Sequence, residues 1–218
     1  MKFLHVCANP KPTEESASKQ LATAFFARLM ELNPEVEIDN IDLYEEKPPY
    51  YTYSLFKRFW YPVLQGGEYE PTREEDAALH YANKQKEHLD DADVLVLTTP
   101  MWNFSVPSIL KAWMDQVLSP GIMFEFEGRE VRPLHRIRSI VLLVASGGIY
   151  KEDDERDALS SDVRAAFGFV GITDVRIAWA DGQNPVFSSD CTERRALAVE
   201  SAEELAEDIL ADLAPATA

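Results

Sequence analysis

The chain is poor in cysteine and in positive charge, and it lacks any long apolar run. Two cysteines among 218 residues, Cys7 and Cys191, exclude a disulfide framework and offer no zinc-ligand spacing, so no metal site is expected. Cys7 lies inside an apolar run, where a free cysteine acts as a small core residue, and a reducing compartment fits. Basic residues number 21 against 38 acidic, a formal charge of −17. That balance argues against nucleic acid and anionic membrane surfaces as partners, although a local site can still reverse the global sign. No apolar stretch approaches the length of a membrane-crossing helix. Met1–Cys7 is too short for the apolar region of a signal peptide, and Asn9-Pro10-Lys11-Pro12 interrupts it. A soluble, cytoplasmic protein is expected.

Glycine is missing from one informative place. The loop Ala8-Asn9-Pro10-Lys11-Pro12-Thr13-Glu14-Glu15 follows the first apolar run and contains none. A dinucleotide-binding Rossmann turn needs glycines there, so that reading is disfavoured.

What is present is a regular alternation. Five apolar runs read as strands: Lys2–Cys7, Val36–Leu43, Asp93–Thr99, Arg138–Ser146 and Asp174–Ala180. The first, third and fourth are nearly continuous in apolar residues, as expected of central parallel strands covered on both faces. The second and fifth alternate with polar residues and suit an edge. Helical patterns fall between them at Ser16–Leu32, Thr72–Asp90, Val106–Leu118, Asp157–Phe169 and Thr192–Leu213. In the first, Leu21, Phe25, Leu29 and Leu32 form the apolar stripe; in the last, Val199, Leu205, Ile209 and Leu213 do, before a small-residue tail. Ser105 is the candidate cap of the third. Such alternation predicts an α/β three-layer sandwich, a five-stranded parallel sheet in the order 2-1-3-4-5 with helices on both faces. The length suits one domain spanning residues 1–218.

Two segments break the rhythm. Pro48–Pro71 carries Tyr50, Tyr51, Tyr53, Phe56, Phe59, Trp60, Tyr61 and Tyr69; a connection of that length is a lid, a binding element or a hidden helix, for which Ser54–Val63 is the candidate. Phe124–Val131 reads as a hairpin turning at Glu127-Gly128.

Three strand ends carry the chemistry. Ser16, Ala17 and Ser18 open the first helix, where hydroxyls and free N–H groups can bind an anion such as a phosphate monoester; Ser16 is equally readable as a plain helix cap. Met101, Trp102, Asn103 and Phe104 follow Pro100 at the end of the third strand, offering a flat aromatic and an amide to a polar-edged ring, or a hydrophobic turn packed under its own helix. Ala145, Ser146, Gly147 and Gly148 follow the fourth, and adjacent glycines permit close backbone approach to a ligand, positive φ, or an ordinary turn. In the order 2-1-3-4-5 these ends are neighbours. Tyr150 is a candidate for stacking on substrate or for packing. A flat, phosphorylated cofactor is the first expectation, with flavin at its head.

At these residues the chain resembles the FMN-dependent NADH-azoreductases, a flavodoxin-like family of quinone reductases that often act as homodimers. The resemblance runs through Ser16-Ala17-Ser18, Pro100-Met101-Trp102-Asn103-Phe104-Ser105-Val106-Pro107, Asp115-Gln116-Val117-Leu118, Gly121-Ile122-Met123-Phe124, Gly147-Gly148-Ile149 and Phe167-Gly168-Phe169-Val170-Gly171-Ile172-Thr173-Asp174-Val175. It implies bound FMN, NADH or NADPH as co-substrate, a quinone or azo acceptor, and a two-step hydride exchange in which no protein side chain acts as acid, base or nucleophile. It also implies a homodimer. Trp60, Phe124 and Phe169 are candidate apolar walls for the substrate, contributed within or across that dimer, or else core residues. The chain departs from the family pattern at Pro10, where serine is usual, at Ala17, usually polar, at Trp102, usually tyrosine, and at Ala145-Ser146, usually Ser-Arg. The last departure removes a cation from beside the double glycine. A flavodoxin-type electron carrier, and a flavodoxin-like binding module without a cofactor, remain as alternatives.

Overall fold

The computed structural model describes residues 1–66, 69–151 and 153–213. The small-residue tail after Leu213, and Gly67 and Glu68 of the aromatic segment, lie outside the described residues. The chain runs β1 (Lys2–Cys7), α1 (Ala17–Leu32), β2 (Glu37–Asp42), α2 (Tyr53–Gln65), α3 (Arg73–Ala78), α4 (His80–Asp90), β3 (Val94–Pro100), α5 (Ser108–Val117), β4 (Phe124–Glu127), β5 (Glu130–Pro133), β6 (Ser139–Ala145), α6 (Ala158–Phe169), β7 (Asp174–Ala180) and α7 (Cys191–Leu213). Five parallel strands form one sheet in the order β2-β1-β3-β6-β7. The expected 2-1-3-4-5 counts the strands of this sheet only. It takes no account of the antiparallel β4–β5 hairpin, which the chain inserts between β3 and β6 as a separate two-stranded sheet.

Period-two alternation explains the layers. Leu4 and Val6 of β1, Leu95 and Leu97 of β3, and Ile140, Leu142 and Val144 of β6 face one core, shared with Leu55, Leu89, Trp113 and Phe167 of α2, α4, α5 and α6. Phe3, Val94, Val96, Val141 and Leu143 face the other, under α1 and α7. β3 is buried along its whole length and β6 nearly so, which is why both read as continuous apolar runs. β2 and β7, where polar residues interrupt, are the two edges.

Local differences have local causes. α7 buries Ala198, Ala202, Ala206 and Ile209; of the expected stripe, Val199, Leu205 and Leu213 are only half-buried. Small alanine side chains let α7 lie close against the sheet and α1, a stripe invisible to a search for large apolar residues. Leu32 likewise falls at the exposed end of α1. The expected Thr72–Asp90 helix is two helices, broken at Leu79, with Thr72 and Glu75 forming a capping box on α3. α5 starts after Pro107 and has no side-chain cap, because the Ser105 hydroxyl donates instead to Asp162 Oδ2 at 2.6 Å. The hairpin turns at Gly128-Arg129, one residue later than expected. Glu127 and Glu130 pair, and Gly128 takes φ +66° as the first central residue of a two-residue turn. The aromatic segment hides α2, as expected.

Candidate functional site

The carboxyl ends of β1, β3 and β6, with the loop after β7, enclose a cleft of about 360 Å³. Its first wall is the start of α1. Ser16 is the N-cap, and its Oγ accepts from Lys19 N at 3.2 Å. Asn9 fixes this wall from below, donating from Nδ2 to Ser16 Oγ at 2.8 Å and to Ser18 Oγ at 3.0 Å. The N–H groups of Ala17 and Ser18, in the first turn, have no carbonyl partner within the helix and remain donors for an anion. Ser16 and Ala17 line the cleft. Ser18 is fully buried with its hydroxyl turned to Asn9 and Ser16, so it shapes the loop and does not line the cleft. Ser16 is thus both a cap and a cleft residue.

The second wall is a reversal after β3. Met101 N donates to Ala145 O at 2.8 Å, joining the ends of β3 and β6. Trp102 and Ser105 then exchange backbone hydrogen bonds, each 3.1 Å, around Asn103 at φ +49° and Phe104 at φ +71°. Positive φ is uncommon outside glycine, tolerable for asparagine and costly for phenylalanine, on the order of 1–3 kcal/mol. The turn persists because it is held from outside: Phe104 O accepts from Ala158 N and Leu159 N at the start of α6, and Ser105 binds Asp162. The product is an aromatic, Trp102, 43% exposed, at the mouth of the cleft, with Phe104 54% exposed beside it. Met101 and Trp102 line the cleft; Asn103 and Phe104 form the turn that carries them.

The third wall is Ala145-Ser146-Gly147. Ser146 Oγ donates to Gly148 O at 3.0 Å and accepts from Trp179 Nε1 at 2.8 Å, so its side chain braces the loop. Neither glycine takes positive φ; of the roles open to them, what they supply is closeness. A Cβ on Gly147 would stand 3.2 Å from Asn184 Cβ, and one on Gly148 would stand 3.3 Å from the Tyr150 ring. Gly147 lines the cleft, whereas Gly148 faces Tyr150.

Tyr150 lies outside this cleft. Its ring stacks on Trp179 at 5.1 Å, with the Arg156 guanidinium 5.0 Å from its centre, and it borders a separate cavity of about 820 Å³ with Asp154, Asp157 and Ser160. Burial pushes its phenol above the usual tyrosine value. Trp60, Phe124 and Phe169 are brought together, with Phe126, as a ladder of successive ring contacts at 6.2, 5.4 and 5.3 Å. None of the four lines the cleft of this chain. Phe124 is buried, while Phe169 is 54% exposed.

Lys11, Gln183, Asn184 and Arg195 line the cleft and carried no signal in the sequence reading. Gln183 N donates to Ser146 O at 2.9 Å and Asn184 N to Gly147 O at 3.3 Å, which seats the loop after β7 against the double glycine. Among the described residues no cluster of side chains suits a metal ion. The donor set is that of a phosphate at a helix start joined to a flat, polar-edged ring beside an aromatic, and these residues fit FMN.

The model of the flavodoxin-like fold family matches residues 1–205. An FMN-dependent NADH:quinone oxidoreductase of Brevibacillus brevis is 32% identical over 208 residues, covering 94% of this chain and 98% of that protein. The chain belongs to this flavodoxin-like family of FMN-dependent NADH:quinone oxidoreductases. Another member, from Azotobacter vinelandii, is 37% identical over 171 residues, 78% of this chain and 83% of its own. Among solved structures, an FMN-dependent NADH-azoreductase of Bacillus anthracis in complex with FMN superposes with a TM-score of 0.80 at 29% identity, covering 95% of this chain and 98% of that one.

Proposed function

We propose that this family member binds FMN in the cleft and transfers a hydride from NADH or NADPH to a quinone or azo compound, in two alternating half-reactions. The observation that carries the reading is the convergence on one cleft of the α1 start, the strained turn under Trp102 and the backbone of Gly147. The names of the relatives support the same activity.

FMN, when bound, supplies the redox chemistry, accepting a hydride from the nicotinamide and giving it to the acceptor. The protein's part is position and polarity. Ser16 and the first N–H groups of α1 would hold the phosphate. Trp102, which lines the cleft, would pack against the ring. The backbone at Gly147, which lines the cleft, would meet its polar edge, an arrangement that would favour negative charge there. Tyr150 has no proton-transfer role in this account, because its ring is stacked outside the cleft. No side chain is assigned as acid, base or nucleophile.

The working unit is proposed to be a homodimer in the cytoplasm, each chain one domain. The exposed Phe169 end of the aromatic ladder would then meet the neighbouring copy, letting Trp60, Phe124 and Phe169 wall a substrate site they do not reach within one chain.

The test is a steady-state assay of NADH and NADPH loss with a quinone and with an azo dye. Parallel double-reciprocal lines are expected for the two-step scheme. A flavin that NADH fails to bleach, but that a separate reductase reduces, would point to an electron carrier instead.

A further inference from the structure

Two adjacent arginines at the start of α7 have different partners. Arg194 is matched by Asp181 at 2.8 Å and Asp190 at 3.0 Å. Arg195 donates its Nε hydrogen to the neutral Gln183 Oε1 at 2.9 Å, and among the described residues no carboxylate oxygen lies within 4.0 Å of its guanidinium nitrogens. Its charge and its four terminal hydrogens are therefore open to a ligand.

The tether is rigid. Gln183 Nε2 donates to Asp181 O at 2.9 Å and to Cys191 O at 3.1 Å, and its backbone N–H binds Ser146 O. Gln183 thus locks Arg195 against the loop that follows β6. Both residues line the cleft, together with Ser16 and Ala17 of α1. Lys11 lines it too, as does Glu15, whose carboxylate makes no ion pair among the described residues. The cleft is locally positive in a chain of formal charge −17. A half-buried guanidinium without a counter-ion costs free energy that an anionic ligand would return.

We propose that Arg195, oriented by Gln183, recognises an anionic oxygen of the ligand in this cleft. It supplies from α7 the positive charge that Ser146 cannot. The inference rests on FMN being that ligand. FMN offers such oxygens at two positions, the phosphate and the pyrimidine edge of the reduced ring.

The experiment measures dissociation constants for FMN and riboflavin by fluorescence, and the midpoint potential of bound FMN, in wild type, R195Q, R195K and Q183L. Loss of one charged hydrogen bond is worth about ten- to hundredfold. R195Q is expected to show that loss either in FMN affinity or, where the contact is to the reduced ring, as a lowered midpoint potential, with R195K recovering part of it and Q183L falling between. A loss confined to FMN, with riboflavin unchanged, assigns the phosphate. Unchanged binding of both oxidised flavins with a lowered potential assigns the ring. Wild-type FMN affinity and potential in R195Q would overturn the inference while leaving the functional reading intact, as would equal weakening of both flavins at unchanged potential. A wild-type protein that binds no FMN would overturn both.

Discussion

The carbonyl of Phe104 accepts the N–H of Ala158 at 3.0 Å. Two elements far apart in sequence are so joined that α6 holds the turn after β3 in a conformation its own residues resist. The cost of positive φ at Phe104 is offset by this bond, by that from Leu159, and by Ser105 on Asp162.

Phe104→Gly should therefore relieve backbone strain while losing little burial, since the ring is half exposed. Thermal stability of the flavin-free protein should stay within about 1 kcal/mol of wild type, the relief and the added backbone entropy of glycine being similar in size. FMN affinity should fall several-fold, because the turn under Trp102 is no longer pre-set. A stability loss above about 2 kcal/mol would show that the ring itself packs.

Ser16 has two roles that one pair of measurements separates. Ser16→Ala removes the acceptor for Lys19 N and should cost about 1 kcal/mol in unfolding free energy. If the hydroxyl also contacts phosphate, FMN weakens more than riboflavin in the same variant. Equal weakening assigns Ser16 to the cap alone.

The double glycine divides in the same manner. Gly147→Val places atoms against Asn184 at the cleft wall and should abolish FMN binding. Gly148→Val meets the Tyr150 ring instead, so it should disturb the Tyr150–Trp179 stack, read as altered tryptophan emission, and keep FMN affinity within a few-fold of wild type. Identical loss of FMN in both variants would contradict that division.

Acid stability is expected to depend on Glu75. Its carboxylate pairs with Lys57 and accepts from Thr72 N at 2.8 Å and from the Tyr69 hydroxyl at 2.9 Å. The Lys57 ammonium first, then the Thr72 N–H, hold its pKa at about 2, below the ordinary 4.5. A depressed carboxylate stabilises the fold above its ordinary value, and that contribution disappears as pH falls through about 2. Melting temperatures of wild type and Glu75→Gln should differ at neutral pH and converge as pH drops through that window. A constant difference would rule out the carboxylate as the source.

The sheet was legible because burial on both faces writes itself into sequence as β3 and β6, and interruption by polar residues as β2 and β7. β1 and β7 run over the residues read from their apolar patterns, Lys2–Cys7 and Asp174–Ala180. The break at Leu79 was hidden because helical periodicity continues through it. The alanine stripe of α7 was hidden because small residues carry little hydrophobic signal. Three walls of the cleft could be read because each carries a local signal: serines at a helix start, an aromatic and an amide after a proline, and a double glycine. The fourth could not: Gln183 and Arg195 enter through hydrogen bonds to Ser146 O and to each other, with no periodicity or motif behind them. The aromatic ladder was named in part, through Trp60, Phe124 and Phe169, but its assembly through Phe126 requires the hairpin register.

The central claim is that the three strand ends form one FMN site. Its most direct test is the visible difference spectrum of the flavin-free protein titrated with FMN, followed by anaerobic NADH. The account predicts saturation at one FMN per chain, a perturbed flavin band that Trp102→Ala diminishes, and bleaching when NADH is added. A protein that stays colourless after incubation with FMN and dialysis would contradict it.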